Sequence, residues 1–425
     1  MCFSSVRSVA RHNAMLRGSV TLLSALFFAT LTVTPNSYSF AALTLGVLSL
    51  VTLPLTWRVW NTSKDVRLIT IALCAYFVAY FLEMLIHSES FSIIDIPSRV
   101  LLAALTLGLL YRYPPKLSWV TLSISLGAVI SGVIAIYFTY ALNIRAFSDY
   151  GYMVIQIGGI CAWLGTLSLI SFLHYVHERK LKYSIICAIG SIFAILATLL
   201  SGARGAWLLT PFIMVLSLWA YKRCLERKKL AVALAAIALM LSVVAPQLKQ
   251  RIDLVFQDIA LYKQNQLSTS SGARIEMWKS AILTSMDYPI LGVGHDGVTA
   301  QKLKQIEKDQ ITRDVLQFKR AHNQYLEELQ TKGLVGVLAL LVLFLVPLRW
   351  FYKKLLLGIA LANSQLKALS LMGCMHILMI MGFCLTQHYL NHHSGILVFS
   401  FGLAILAALT IRSEEDSVQG SKETK

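Results

Sequence analysis

Apolar stretches of about 17 to 23 residues recur along the chain between short polar segments, and each is long enough as a helix to cross a hydrocarbon layer of about 30 Å. They begin near Ser19, Tyr38, Leu68, Ile96, Leu117, Tyr152, Tyr183, Ala206, Leu230, Leu334, Leu366 and Ser394. The pattern predicts an all-α polytopic membrane protein of about twelve transmembrane helices. One long polar stretch, from Pro246 to Lys332, interrupts it between the ninth and tenth helices. The chain therefore divides into residues 1–245 with spans one to nine, a loop over 246–332, spans ten to twelve over 333–411, and a tail over 412–425.

The polar segments alternate in charge. Arg7, Arg11 and Arg17, then Arg58/Lys64/Arg67, Arg112/Lys116, Arg179/Lys180/Lys182, Lys222 to Lys229, and Arg349/Lys353/Lys354 fall on one side. The short loops on the other side hold only Arg145 and Arg204. This bias places both termini in the cytoplasm and the long loop outside. Water can satisfy irregular backbone there, which lipid cannot, so the loop is expected to carry the chemistry.

Composition supports that reading. Of 425 residues 56% are hydrophobic and 14% charged, too little polar surface for a water-soluble globule of this size. The formal charge of +17 is spread through short clusters instead of one basic face, which argues against nucleic acid. None of the seven cysteines lies in the long loop, so no disulfide framework is expected there. The three N-terminal arginines precede an apolar run without a small-x-small cleavage pattern, and the run is expected to stay as the first helix.

Within the loop, Ile275, Trp278 and Ile282 mark a short amphipathic helix over 274–285, with Ser270 and Ser271 as available caps. Tyr288 to Gly297 is rich in turn residues, and Gln301 to Arg320 reads as a solvated helix of mixed charge. His322 to Gly333 reads as another short helix, stopped by Gly333 before the next span.

Ser-Gly-Ala-Arg occurs at 201–204 and again at 271–274. Glycine allows close backbone approach, and a guanidinium presents a planar fork of donors to phosphate oxygens. Arg204 is either such a donor or a helix-end arginine, and Arg274 either a donor or an exposed loop cation. On its expected helix His322 shares a face with Tyr325, Leu326 and Leu329, which would turn Glu327 and Glu328 toward water. It is either a structural histidine or a base able to take a proton from a hydroxyl near neutral pH.

The last outer loop, 387–393, sets His388 and His392 four apart without a carboxylate or cysteine beside them. Interfacial polar residues at a site entrance, Gln387 and His388 among them, are preferred there to a metal. Gly292-x-Gly294-x-x-Gly297 matches a dinucleotide fingerprint only as letters, since no strand–turn–helix unit surrounds it, and a turn is expected. Arg99, four residues after Asp95, forms an i, i+4 pair or holds an anionic headgroup.

SGARGAWL at a span end, SGARIEMWKSA and LGVGHDG in the loop, and AHNQYLEELQTKGLVG leading into the tenth span resemble the O-antigen ligase and polymerase superfamily. The likeness is specific from about Leu200 to Leu340 and rests on hydropathy elsewhere. It implies a ligase of the bacterial inner membrane that transfers polysaccharide from an undecaprenyl pyrophosphate carrier to a lipid A–core hydroxyl on the periplasmic face. It implies His322 as general base, Arg204 and Arg274 on the pyrophosphate, and an inverting reaction with no metal or other cofactor. Asn323, beside the base, is a candidate for orienting a sugar. A polymerase or a protein-glycosylating relative is the nearest alternative. A lipid-linked sugar flippase or secondary transporter is less favoured, because no half-to-half repeat is evident.

Overall fold

The computed structural model describes residues 2–148, 150, 151, 153–222, 242, 245, 249, 253, 257 and 270–423. Apart from residues 242, 245, 249, 253 and 257, the ninth span expected near Leu230 and the part of the loop before Ser270 lie outside them. Helices account for every regular element among the described residues: α1 Cys2–Thr30, α2 Ser37–Val51, α3 Leu53–Thr56, α4 Val59–Thr62, α5 Lys64–His87, α6 Asp95–Arg112, α7 Leu117–Ile136, α8 Val154–His177, α9 Leu181–Ser201, α10 Arg204–Ala220, α11 Ser270–Asp287, α12 Gly294–Glu307, α13 Gln324–Ala360, α14 Ser364–Cys384 and α15 His393–Glu423.

Among the described residues eight helical segments are long and apolar enough to cross a membrane, and nine if α2 and the bent α3–α4 segment after it form one span. This is a multi-pass membrane protein. Its outward surface agrees, for Phe40, Val51, Ile71, Ile192 and Phe212 are all exposed where a water-soluble protein would bury them. The centre of the bundle is α15, whose apolar window is wholly buried, with α8 and α14 beside it. α15 packs on α6 and α14, α13 packs on α14 and α5, and α9 lies against α7 and α8.

Two features position the site. The first is the break in α13 at Gly333, where φ is 60° and ψ −149°, which ends one short helix and begins the span as the sequence led us to expect. The backbone groups opened by the break find partners in the segment before α12: Leu334 N donates to Pro289 O (2.8 Å), Val335 N to Ile290 O (3.3 Å) and Val293 N to Gln330 O (3.0 Å). A Cβ on Gly333 would lie 2.4 Å from the Ile290 carbonyl carbon, and one on Gly292 2.3 Å from that of Thr331, so only glycine lets the two backbones touch.

The second is the pair α11 and α12, joined by buried polar side chains. Ser280 Oγ donates to Gln305 Oε1 (2.6 Å), and Gln305 Nε2 donates to Thr284 Oγ1 (2.9 Å). The sequence reading needs correction here. Ile282 is exposed, and the buried stripe of α11 is Glu276, Met277, Ser280, Ala281 and Thr284. Polar side chains with partners pack as well as apolar ones, which an apolar-period reading cannot register. Likewise, 301–320 is not a solvated helix. α12 starts at Gly294, so the second half of the glycine pattern is its first turn, and Gln301, Lys302 and Gln305 are buried. Ser270 and Ser271 fall inside α11 instead of ahead of it.

Candidate functional site

His322 does not lie on a helix, contrary to the sequence reading. It precedes the N-cap of α13 and has left-handed backbone, φ 51°. Such a residue holds that conformation only when its surroundings impose it. Here the Ala321 peptide is fastened from both sides. Its N–H donates to Glu327 Oε2 (2.8 Å), and its carbonyl accepts from Trp278 Nε1 (3.0 Å). On the other flank Asn323 Oδ1 accepts from the N–H of Tyr325 (2.9 Å) and of Leu326 (3.2 Å), capping α13. Loss of that cap in Asn323→Ala should lower stability by about 1 kcal/mol. Thermal unfolding of the detergent-solubilised protein checks it; an unchanged unfolding temperature would contradict the capping role.

Glu327 and Glu328, expected on the water side, are both buried, and each has a reason to be. Glu327 serves Ala321 N and pairs with Arg320 (3.3 Å). Glu328 accepts from Tyr76 (3.1 Å), Tyr80 (2.9 Å) and Gln324 (2.7 Å) and pairs with Lys332 at 3.0 Å. Lys332 also reaches Glu83 at 3.1 Å and sits over the Tyr80 ring. Gln324 goes further, taking the Leu390 N–H on its Oε1 (3.0 Å) and donating to Asn391 (3.2 Å). That bond draws the 387–392 turn against the start of α13.

The turn brings three more candidates to His322. The His388 ring meets His322 edge-on, with centroids 5.2 Å apart, and stacks on His392 at 4.7 Å. Gln387 Nε2 contacts His392 Nε2 at 3.4 Å. Stacked rings carry their ring nitrogens in nearly parallel planes, so His388 and His392 do not aim both lone pairs at one ion. Phe318 closes the other side of His322, its centroid 6.3 Å away.

Burial pushes the His322 imidazole below its ordinary pKa, and the charges of Arg274 and Lys302 push the same way. Arg274, exposed on α11, is therefore close enough to act on the His322 ring electrostatically. His388 is pushed down to about 2 and His295 and His392 to about 4, burial being the first cause for each and Arg320 a further one. All four imidazoles are neutral at pH 7.

Folded-state values below the unfolded value of about 6.5 mean that the unfolded chain binds more protons as the medium turns acid. Stability from this cluster is full above about pH 6.5 and declines as pH falls toward the folded values. Unfolding temperatures measured at pH 5 and pH 7 should differ in that direction, and less so in a His388→Phe variant.

The Ser-Gly-Ala-Arg copy at 201–204 reaches the same end of the bundle. A Cβ on Gly205 would lie 2.6 Å from Thr386 Oγ1, so the backbone at the start of α10 abuts the residue before Gln387. The Arg204 side chain lies outside the described residues. Arg99 forms its i, i+4 pair with Asp95 at 3.4 Å, and His393 also feels the charges of both.

The sequence reading missed a second group. Tyr80, Glu89, His295, Arg320, Glu327 and Lys332 help line a cavity of about 140 Å³ beside the histidines. Glu89 accepts from Asp296 N (3.0 Å) and joins this wall to α12. One signal for it was present: Glu83 stands inside an otherwise apolar run, and a charge at that depth needs a partner.

Residues 189–341 match the family described as O-antigen ligase. An uncharacterised protein of Haemophilus influenzae is 32% identical over 384 residues, which cover 89% of this chain and 94% of the relative. The chain belongs to the O-antigen ligase superfamily. The segment matching the O-antigen ligase family contains Arg204, Arg274, His322 and Asn323, together with the glycine break at 333. Arg99, Gln387 and His388 lie outside it and reach the site only through the fold.

Proposed function

We propose that this member of the O-antigen ligase superfamily is a ligase, transferring polysaccharide from undecaprenyl pyrophosphate to a lipid A–core hydroxyl. The observation that carries the reading is a neutral, half-buried imidazole, His322, held in fixed backbone at one end of a lipid-embedded bundle within the field of Arg274. A neutral ring nitrogen accepts a proton, which a protonated ring cannot do.

In the proposed step His322 takes the proton of the acceptor hydroxyl as that oxygen attacks the anomeric carbon. The bond from that carbon to the carrier's pyrophosphate oxygen breaks, its electron pair leaves with the pyrophosphate, and the configuration inverts. Arg274 and Arg204 neutralise charge gathering on the leaving group, a preorganised contribution for which loss of one donor typically costs on the order of 100-fold in rate. The step consumes no nucleotide and uses no metal. His388 borders the base, Gln387 contacts the neighbouring His392, and Arg99 is a further anion contact. The donor's polyprenyl tail lies between spans, so the enzyme works from within the bilayer.

The positive-inside bias supports a cytoplasmic location for both termini, with about twelve spans in the inner membrane and the site on the periplasmic face. On this reading residues 246–332 are the periplasmic loop between spans nine and ten.

Deleting the gene in its host and examining lipopolysaccharide and lipid-linked sugars tests the proposal. A ligase deletion leaves bare core with long polymer on the carrier. Core bearing single repeat units would mean a polymerase, an intact ladder with a missing glycoprotein a protein O-oligosaccharyltransferase, and single units held on the cytoplasmic leaflet a flippase. Any of these three outcomes overturns the ligase reading.

A further inference from the structure

At the opposite end of α8 and α14 from the histidines lies an open groove of about 560 Å³, larger than the cavity beside His322. With 24 residues in α8 at about 1.5 Å rise each, it is ~35 Å from that site. Its wall is formed where three long helices begin. Lys116, Leu117 and Ser118 open α7, Lys180 precedes α9, and Asn363, Ser364 and Gln365 open α14.

The floor is built. His174 is 4% exposed and its Nδ1 lies 2.9 Å from Ser364 Oγ. Tyr175 is bonded to Thr121 (2.7 Å) and stacks on Tyr183, centroids 5.1 Å apart. These contacts keep the groove open and polar on one side.

Its charge is not balanced from within. Lys116 has no ion-pair partner among the described residues, and Lys180 meets Glu178 only at 3.9 Å with both side chains in solvent. Two ammonium groups therefore share the groove's lining with one carboxylate, and three helices begin there with their first amides, of which Leu366 N is capped by Asn363 Oδ1. Each of those amide sets adds positive potential of its own. The groove also sits at the ends of spans, at headgroup depth, and Trp119 and Leu181 stand exposed next to its lining residues, as a surface for acyl chain requires.

We propose that this groove is a binding site for a phosphate group, seated between Lys116 and Lys180, carried by an anionic phospholipid or by a soluble phosphate. Basic pockets between spans are a recurrent way of holding lipid headgroups. The site is separate from the proposed transfer centre and independent of whether that centre is a ligase.

Native mass spectrometry of the full chain, delipidated in detergent and titrated with phosphatidylglycerol, phosphatidylcholine or inorganic phosphate, tests it. Phosphatidylglycerol should bind in preference to phosphatidylcholine, and Lys116→Ala/Lys180→Ala should weaken its binding by roughly 30-fold. Lys116→Arg/Lys180→Arg should keep most of it, which separates loss of charge from loss of fold. If inorganic phosphate competes at millimolar concentration, the soluble source is the one the groove serves; if it does not, the lipid is. Equal binding of phosphatidylglycerol by wild type and the alanine pair, with no effect of phosphate, overturns the proposal.

Discussion

His322→Ala should reduce polysaccharide transfer by about 100- to 10,000-fold, the range over which a positioned general base contributes. In a deletion strain carrying this variant at normal membrane level, lipopolysaccharide should stay as bare core. His322→Gln keeps size and polarity without a basic nitrogen, so it should fail as well, which separates proton acceptance from packing against Phe318 and His388. A full ladder from either variant at normal expression would remove His322 from the catalytic role.

The pH profile supplies a second readout. An imidazole of ordinary pKa is half protonated near pH 6.5, whereas one lowered by burial and by Arg274 is less protonated at the same pH. Transfer by isolated membranes should therefore fall at a lower pH than a base of ordinary imidazole pKa would give. Arg274→Gln should move the fall toward higher pH by removing one of the charges that disfavours protonation.

Lys332→Ala should be the most destabilising single change at the buried end of α13. Lys332 and Glu83 are almost wholly enclosed and so is Glu328, the lysine lying within 3.1 Å of both carboxylates. Removing the shared cation strands two buried carboxylates, and breaking a buried ion pair typically costs about 3–5 kcal/mol. The unfolding temperature in detergent and the amount of protein reaching the membrane should both drop. Neutralising the group as a whole, with Glu83→Gln, Glu328→Gln and Lys332→Met together, should recover much of the loss, since an uncharged set of similar volume is often no less stable. Wild-type stability in Lys332→Ala alone would mean that the carboxylates find other partners.

The apolar spans and the stop at Gly333 were readable because both are local: one depends on run length, the other on a backbone that only glycine adopts. The surroundings of His322 were not readable. A helical face was expected to orient it; instead, Trp278 and Glu327 hold the peptide just before the histidine, and Asn323, a candidate for orienting a sugar, caps α13. The bonds from Ala321 to Glu327 and to Trp278 join residues six and 43 positions apart, which no local period encodes.

The same holds for His388, brought to His322 from a separate turn by Gln324. Glu327, Glu328, Lys302 and Gln305 were misplaced for one reason: a polar letter was read as a solvated position. Polar side chains that find partners against a neighbouring helix or turn are buried as readily as apolar ones. Arg204 matches its motif, but its side chain lies outside the described residues.

The junction at Gly333 gives the described part of the polar insertion, residues 270–332, a mechanical role. Its carbonyls at Pro289 and Ile290 are engaged by the first amides of a membrane span, and the Val293 N–H donates to the Gln330 carbonyl. The insertion is thus a brace anchored at both flanks of the histidine turn, not a flap hung from two strings. A load applied to α11 therefore passes through these bonds and through Trp278 to Ala321 into α13, which keeps the His322 turn in register.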